Sequence, residues 1–180
     1  MRIIGGTLRG RQIRVPRHFR GRPTTDFARE GLFNILRSQQ LPEGCRVLDL
    51  FAGTGAFSLE CLSRGAEKAT AVELAVPHVK AIRENFDQFG FHQSEVIRAE
   101  VIQWLKQATG SYDLVFADPP FAMEKLEALP GKILTLPGLL PGALIILEHS
   151  DKLSFEGQPG FERERRYGQV VFSFFRHSQT

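Results

Sequence analysis

The sequence predicts an α/β fold, a doubly wound and mostly parallel sheet, on three observations. Between residues 46 and 148, short apolar runs alternate with segments of helical periodicity, which is the pattern of repeated βα units. The tail contains two strand-like runs around Gly168 with no helix between them, which predicts an antiparallel C-terminal strand at one edge. Residues 2–15 alternate loosely around Gly5-Gly6, which predicts a small basic N-terminal β-hairpin. Together these features predict a Rossmann-like sheet with helices on both faces.

The length and composition agree with one globular domain. The chain has 180 residues, of which 42% are hydrophobic and 24% are charged, so a largely disordered chain is excluded. Two cysteines, Cys45 and Cys61, do not make a secreted disulfide framework, and a cytoplasmic protein is therefore expected. We expect no membrane-spanning helix and no signal peptide, because no apolar run is long enough. A monomer is the default expectation.

The first helix is expected to begin at Thr25, after a connector at 16–23. Thr24, Thr25 or Asp26 can cap its first N–H groups, and Pro42 and Gly44 end the segment. The apolar residues predicted to share one face of this helix are Phe27, Leu32, Phe33 and Leu36.

The remaining elements follow from the change between apolar runs and helical periodicity. Strands are predicted at 46–51, 69–73, 94–98, 112–117, 143–148, 161–167 and 169–176. Helices are predicted near 55–64, 77–89 and 100–108, with a helix or loop at 122–136.

The charge is distributed very unevenly along the chain. Residues 1–22 hold seven arginines, no lysine and no acid, whereas the rest holds sixteen basic and twenty acidic side chains. We therefore expect a basic N-terminal arm at 1–22 and a catalytic or binding domain at 23–180. Guanidinium groups bind phosphates in a bidentate manner and stack on bases, so a nucleic-acid partner is favoured over a merely solvated surface.

A glycine-rich turn follows the first predicted sheet strand. The strand carries Asp49 and runs into Gly53-Thr54-Gly55, where glycines let the backbone approach a ligand closely. Ser58 stands where a nicotinamide-binding fingerprint has its third glycine. The carboxylate of Asp49 would repel a pyrophosphate, so a cationic or amino-bearing ligand is favoured.

Two further acids stand at the ends of the next strands. Glu73 ends the second strand, where an acid can accept hydrogen bonds from both hydroxyls of a ribose. Glu100 follows the third strand and could accept the exocyclic amine of an adenine. Its alternative role is to stabilise the N-terminus of the following helix.

The run Asp118-Pro119-Pro120-Phe121 follows the fourth strand. Two prolines fix the backbone and remove two N–H donors, so this loop presents a carboxylate, carbonyls and an aromatic face. Asp118 and the carbonyl of Pro119 can hold both hydrogens of a planar amine, while Phe121 stacks on its base. No paired metal-ligand motif, Walker-type lysine or Gly-x-Ser-x-Gly elbow occurs, so we expect no metal site and no phosphoryl transfer.

With these motifs the sequence resembles the class I S-adenosylmethionine-dependent methyltransferases that act on amino groups. It resembles in particular the bacterial small-subunit (16S) ribosomal RNA guanine-N2 methyltransferase family, almost from end to end. The blocks that carry the narrower resemblance are Arg2-Ile3-Ile4-Gly5-Gly6, Arg9-Gly10-Arg11, Arg22-Pro23-Thr24-Thr25-Asp26, Arg29-Glu30, Leu32-Phe33-Asn34 and Tyr167-Gly168.

The resemblance implies a role for each matching residue. Asp118, Pro119, Pro120 and Phe121 would hold the target guanine. Thr24 would border cofactor and substrate, Glu73 would hold the ribose of S-adenosylmethionine, and Glu100 stands where relatives more often have Asp or Asn for the adenine. The residues that would line the cofactor pocket are Asp49, Phe51, Ala52, Gly53 and Gly55. The residues that would grip ribosomal RNA, naked or in an assembling subunit, are Arg2, Arg9, Arg11, Arg14 and Arg22.

Two other functions fit parts of the pattern. Asp-Pro-Pro-aromatic loops suit several planar amines, so methylation of DNA adenine or of protein glutamine is the enzymatic alternative. A non-catalytic RNA-binding module is the alternative from another class, although both the glycine turn and the Asp118–Phe121 loop are intact.

Overall fold

The computed structural model describes residues 1–16 and 24–178. Over these residues it contains a sheet of seven strands in the order β3-β2-β1-β4-β5-β7-β6. The strands are β1 Arg46–Leu50, β2 Lys68–Glu73, β3 Glu95–Arg98, β4 Tyr112–Ala117, β5 Leu139–Ser150, β6 Phe161–Tyr167 and β7 Val170–Arg176. The helices are α1 Asp26–Ser38, α2 Ala56–Ser63, α3 Val76–Phe89, α4 Val101–Leu105 and α5 Leu129–Leu134, with a 3-10 turn at Leu126–Ala128.

The first five strands are parallel, so their carboxyl ends meet at one edge of the sheet. β1 lies between β2 and β4, and Asp49 is paired with Ala71 on one side and Phe116 on the other. β5 continues the parallel set beside β4. In open α/β sheets this edge is where ligands bind.

The predicted antiparallel C-terminal strand is confirmed, but it does not lie at the edge. β7 pairs antiparallel with β5 on one side and with β6 on the other, so β6 is the outer strand. The sequences explain this order. β7 is apolar and buried along nearly its whole length, as an inner strand must be, whereas β6 is largely charged and exposed.

Two apolar cores cover the two faces of the sheet, which confirms the doubly wound prediction. Alternate strand residues such as Val47 and Phe116 pack under α1, α2, α3 and the N-terminal segment. The residues between them, such as Leu48 and Val115, pack under α4 and α5. The face of each residue near the strand ends therefore follows from its position in this alternation.

The N-terminal hairpin is present in a reduced form. It consists of one antiparallel bridge between Arg2 and Gln12, supported by backbone hydrogen bonds such as Ile3 N–H to Arg11 O at 2.9 Å. Ile3 and Ile13 are buried in the core of the main domain. The segment thus packs on the domain through its apolar side chains, and its arginines face outwards.

The first helix begins where the sequence predicts it, but one of its predicted core residues is exposed. Thr25 caps α1, because its Oγ1 accepts a hydrogen bond from Ala28 N at 3.1 Å. Phe27 is 71% exposed, because it lies one residue away from the buried stripe of Ala28, Leu32 and Leu36. Its ring packs edge-to-face on Tyr167 instead, with centroids 5.7 Å apart.

Candidate active site

A cleft opens at the carboxyl ends of β1 and β4. It is lined by six residues that the sequence predicts to be in the site: Thr24, Asp49, Phe51, Ala52, Gly53 and Asp118. The other lining residues are Met1, Arg29, Leu32, Thr54, Ala56, Phe57 and Phe116. The remaining predicted site residues do not line this cleft and are described individually below.

The turn after β1 adopts the left-handed backbone that its glycines permit. Gly53 and Gly55 have φ values of 55° and 72°, and Phe51 has a φ of 59°, which is rare for a residue with a large side chain. A Cβ at position 55 would lie only 3.0 Å from Ile82 Cγ1 on α3. Gly55 is therefore required both by its backbone angle and by the close approach of α3.

Asp49 lies almost fully buried beneath this turn, at the wall of the cleft, and is anchored by Ser58. Ser58 donates two hydrogen bonds to Asp49 Oδ2, from its Oγ at 2.6 Å and its backbone N at 3.1 Å. Burial raises the pKa of Asp49 to about 7, the charges of Asp118 and Glu73 add to this, and the Ser58 bonds partly offset it. Ser58, which the sequence marks only as a missing glycine, therefore positions the cleft carboxylate.

Glu73 ends β2 and already accepts two backbone hydrogen bonds. Its Oε2 accepts from Gly53 N and its Oε1 from Ala75 N, both at 2.8 Å. His78 Nδ1 lies 3.7 Å from Oε1. Each carboxylate oxygen has a further lone pair, so Glu73 can still accept ribose hydroxyls while it holds the glycine turn in place.

Glu100 accepts hydrogen bonds from the helix that follows it in this structure. It is the N-cap of α4, and its two carboxylate oxygens accept hydrogen bonds from Ile102 N at 3.0 Å and Gln103 N at 2.8 Å. Because the side chain caps its own helix, an adenine amine would have to share these oxygens. Contact between Glu100 and adenine stays a prediction.

The Asp118–Phe121 loop presents acceptors at the mouth of the cleft. Pro120 O accepts a hydrogen bond from Met123 N at 2.8 Å, whereas no group among the described residues donates to the carbonyl of Pro119. Burial raises the pKa of Asp118 to about 7. Phe121 is 69% exposed, so its ring is available to a ligand outside the cleft.

Glu148, which the sequence analysis did not single out, lies beside the cleft and contacts one of its lining residues. It lies on β5, is 6% exposed, and its Oε2 accepts a hydrogen bond from Thr24 Oγ1 at 2.8 Å. Burial and the charge of Asp118 raise the pKa of Glu148 to about 8, and the Thr24 bond partly offsets this. The sequence feature that could have identified Glu148 is its place directly after the apolar run 143–147.

Four carboxylates thus lie on one face of the sheet across four neighbouring strands. Glu73, Asp49, Asp118 and Glu148 belong to or directly follow β2, β1, β4 and β5. The register pairs Ala117 with Leu147, which places Asp118 beside Glu148. Within the described parts of the chain, no group of three or more His, Cys, Asp or Glu residues is arranged to hold a metal ion. The row of carboxylates instead forms an acidic wall suited to a cationic or amine-bearing ligand.

The N-terminal segment forms part of the same site. Met1 lines the cleft, and its Sδ accepts a hydrogen bond from Thr54 Oγ1 at 3.5 Å. Buried Arg29 donates to Arg2 O at 3.1 Å, and buried Glu60 accepts from Ile4 N. These contacts fix the basic segment against the glycine turn and α2.

Four predicted RNA-binding arginines are exposed on this segment: Arg2, Arg9, Arg11 and Arg14. The contacts of these arginines with the rest of the domain are long. Arg2 lies 3.7 Å from Asp26, Arg14 lies 3.5 Å from Glu84, and Arg11 lies over the ring of Phe89. Arg22 lies outside the described residues.

A groove beside the N-terminal segment extends the basic surface beyond the predicted residues. Arg9 lines it together with Arg37, at the end of α1, and Arg64, after α2. The sequence did not single out these two arginines because they are far from the N-terminal cluster in the chain.

The sheet order and the strand-end cleft define a Rossmann-like methyltransferase fold. Solved methyltransferase structures with low sequence identity share it. One is an RNA methyltransferase from Salinibacter ruber in complex with S-adenosyl-L-homocysteine, with a TM-score of 0.67 at 16% identity over 88% of this chain and 95% of that one. None of the helices within residues 1–16 and 24–178 is long and apolar enough to cross a membrane.

The chain belongs to the family described as conserved hypothetical protein 95, whose model matches residues 1–176. It is 34% identical to the ribosomal RNA small subunit methyltransferase D of Escherichia coli K12, over 97% of this chain and 89% of that protein. It is 36% identical to the protein of the same name from Haemophilus influenzae, over 82% and 78%. The solved structure of a hypothetical protein from Thermus thermophilus superposes with a TM-score of 0.84 at 31% identity, over 97% and 98% of the two chains.

Proposed function

We propose that this protein transfers a methyl group from S-adenosyl-L-methionine to the exocyclic N2 amine of a guanine in small-subunit ribosomal RNA. The observation that carries the proposal is the acceptor-only loop Asp118–Phe121 at the mouth of an acidic cleft. The names of the relatives support ribosomal RNA as the substrate class. The resemblance of the motifs supports guanine N2 as the target.

The residues of the cleft fit S-adenosylmethionine. When bound, this cofactor supplies a methyl group on a positively charged sulfonium, which is already electrophilic. Asp49 places negative charge near such a cation, and Glu73 offers acceptors for ribose hydroxyls at the end of β2. The open backbone at Gly53 and Gly55 leaves room for close approach.

Asp118 and the carbonyl of Pro119 would hold the two hydrogens of the target amine. Because both groups only accept, they aim the nitrogen lone pair away from themselves and out of conjugation with the ring. Positioning of this kind accelerates transfer without a strong base. Asp118 also places negative charge where positive charge grows on the nitrogen, and the proton can leave after the transfer.

Phe121 would stack on the guanine outside the cleft. A base that is paired and stacked in a helix cannot present its amine to Asp118 and the carbonyl of Pro119. The target guanine is therefore expected in a loop or flipped out of the helix. The exposed ring of Phe121 offers a stacking surface, which contributes roughly 1–3 kcal/mol in single-strand binding.

We assign RNA binding to the basic N-terminal region at residues 1–22 and methyl transfer to the domain at 23–180. The segment that carries the four exposed arginines begins with Met1, which lines the cleft. They would neutralise phosphates flanking the target nucleotide. We further propose that the protein acts as a monomer in the cytoplasm.

The proposal is tested by incubating the protein and labelled S-adenosylmethionine with ribosomal RNA, naked or as small subunits, from cells that lack the protein. Nucleoside mapping is expected to show N2-methylguanosine at one position. Label on adenine, or on DNA or protein glutamine instead, would replace the guanine assignment with the planar-amine alternative. RNA binding without heat on titration of the cofactor would instead favour a non-catalytic RNA-binding module.

A further inference from the structure

Glu148 is a buried acid that the proposed chemistry leaves without a role. It follows the apolar run of β5 and is only 6% exposed. An ionised carboxylate in such a place is destabilising unless it is paired. Among the described residues no Lys, Arg or His forms an ion pair with it, so its position is not explained by a salt bridge.

Two neighbours define its surroundings. Asp118 is beside it, because Ala117 is paired with Leu147 and both chains continue by one residue on the same face. Thr24 donates to its Oε2, and both Thr24 and Asp118 line the cleft. Its other oxygen, Oε1, receives no hydrogen bond from the described residues. Glu148 can therefore accept a further hydrogen bond beside Asp118 and Pro119, the groups that would hold the target amine.

We propose that Glu148 determines specificity by accepting the N1–H of the target guanine while Asp118 and Pro119 hold the neighbouring C2 amine. The inference rests on the function proposed above and deepens it. It assigns the choice of base to two adjacent carboxyl groups, Asp118 directly after β4 and Glu148 within β5.

The donor pattern of the bases supports this choice. Guanine presents N1–H and its C2 amine side by side, so these two neighbouring groups of its Watson–Crick edge are both donors. Adenine and cytosine present a ring nitrogen acceptor beside their amine, and a second carboxylate there would face a lone pair. A row of two carboxyl groups therefore matches guanine and opposes the other amine-bearing bases.

The carboxyl groups of Asp118 and Glu148 can lie side by side without a nearby cation. One proton shared between Asp118 and Glu148 relieves their repulsion and still leaves unprotonated oxygens on both groups as acceptors. Thr24 fixes the orientation of Glu148 by holding Oε2. This leaves Oε1 as the atom that meets the base.

The test compares guanine with 2-aminopurine at the mapped target position of a synthetic RNA stem-loop. 2-Aminopurine keeps the C2 amine but has a bare acceptor at N1. Wild-type protein is expected to prefer guanine in kcat/KM by about 10- to 100-fold. In Glu148→Gln the side-chain amide can donate to that bare nitrogen, so the preference is expected to fall to about threefold or less.

A merely structural role for Glu148 predicts a different result. Glu148→Gln would then lower kcat/KM for both RNAs by the same factor, and an unchanged ratio overturns the proposal. Glu156→Gln makes the same chemical change at an exposed glutamate and should leave the ratio at the wild-type value. If wild-type protein methylates neither RNA, the proposed function itself has failed, which is a separate outcome.

Thr24→Val provides a second test if Glu148→Gln does not fold, as judged by thermal melting. It removes the hydroxyl that orients Glu148 but keeps both carboxyl groups. The ratio of kcat/KM for guanine over 2-aminopurine is expected to fall about threefold or more. An unchanged ratio in folded Thr24→Val contradicts the role assigned to Glu148.

Discussion

The acidic cleft and the basic N-terminal segment use charge in opposite ways. Asp49 in the cleft and Glu148 beside it are almost fully buried, and burial raises their pKa values to about 7 and 8. On the segment, arginines such as Arg9 and Arg11 are exposed to solvent. Buried charges interact strongly over short distances, whereas exposed charges are screened by salt beyond about 8–10 Å.

This difference indicates how each region would work. A carboxylate that holds the target amine in the cleft acts through its position, so replacing it is expected to abolish methyl transfer. The exposed arginines act through their number, so replacing one is expected to weaken binding by a small and salt-dependent increment. The predictions below test this contrast, beginning with the largest expected effect.

Asp118→Ala is expected to lower the rate of methyl transfer by about 1,000-fold or more. The change removes one of the two acceptors that orient the amine and the negative charge that stabilises the transition state. Single-turnover transfer to ribosomal RNA measures the rate, and calorimetry measures the Kd for S-adenosylmethionine.

The cofactor Kd should change by no more than about threefold in Asp118→Ala, since the glycine turn and Glu73 remain. An active variant contradicts the role given to Asp118. A variant that no longer binds the cofactor would show that this carboxylate holds the cofactor instead of the amine.

Asp49→Asn is expected to stabilise the protein above pH 7. The pKa of Asp49 is raised from 3.8 to about 7 by folding, so its contribution to stability is fully present below pH 3.8 and is lost as the pH rises through 7. At about 1.36 kcal/mol per unit, the free energy of unfolding should rise by about 2–4 kcal/mol at pH 8 in the variant. Urea unfolding at pH 5 and pH 8 measures the difference.

The same substitution at exposed Asp87 provides a control with little expected dependence on pH. If Asp49→Asn is equally destabilised at both pH values, the hydrogen bonds from Ser58 outweigh the burial of charge. The contrast between the two regions would then be weaker than the structure indicates.

Gly55→Ala is expected to destabilise the fold by about 1–2 kcal/mol and to weaken cofactor binding. The residue has a φ of 72°, and its added Cβ would approach Ile82 Cγ1 to 3.0 Å. Thermal unfolding and cofactor calorimetry measure the two effects. Gly90→Ala is the matched control, because it has a similar φ of 79° but no heavy atom within 4 Å of the added Cβ.

The double variant Arg9→Ala/Arg11→Ala is expected to have the smallest effect at physiological salt. If about four arginines each neutralise a phosphate, the wild-type slope of log affinity against log salt is about −3, which amounts to roughly fifty-fold between 50 and 200 mM salt. Removing two arginines should change the slope to about −1.5. Fluorescence anisotropy with labelled RNA over a salt series measures it.

Replacing two exposed lysines, Lys106 and Lys132, removes the same charge elsewhere and should leave the slope unchanged. A wild-type affinity that does not depend on salt would show that the arginines only form a solvated surface.

The order of the elements could be predicted because each leaves a local pattern in the sequence. The βα units, the cap at Thr25 and the turn at Gly168 follow from periodicity and turn chemistry. The strand that lies at the edge of the sheet is decided by strand pairing, so local sequence patterns could not predict it. Phe27 shows the same limit, since a one-residue shift on a helix moves a side chain by about 100°.

The site residues within motifs could be predicted, and those that depend on tertiary pairing could not. Asp49 lies near the end of β1, Asp118 directly follows β4, and both line the cleft as expected. Glu148 has no motif of its own, and only the β4–β5 register places it beside Asp118. Ser58 acts through a hydrogen bond across nine residues, which a glycine fingerprint does not describe.

A co-crystal structure with S-adenosyl-L-homocysteine tests the central claim most directly. We predict ribose hydroxyls on Glu73 and a sulfur within about 8 Å of the Asp118 carboxylate, the distance left by a reacting methyl and a hydrogen-bonded amine. A ligand bound outside the cleft, or a sulfur directed away from Asp118, would contradict the claim.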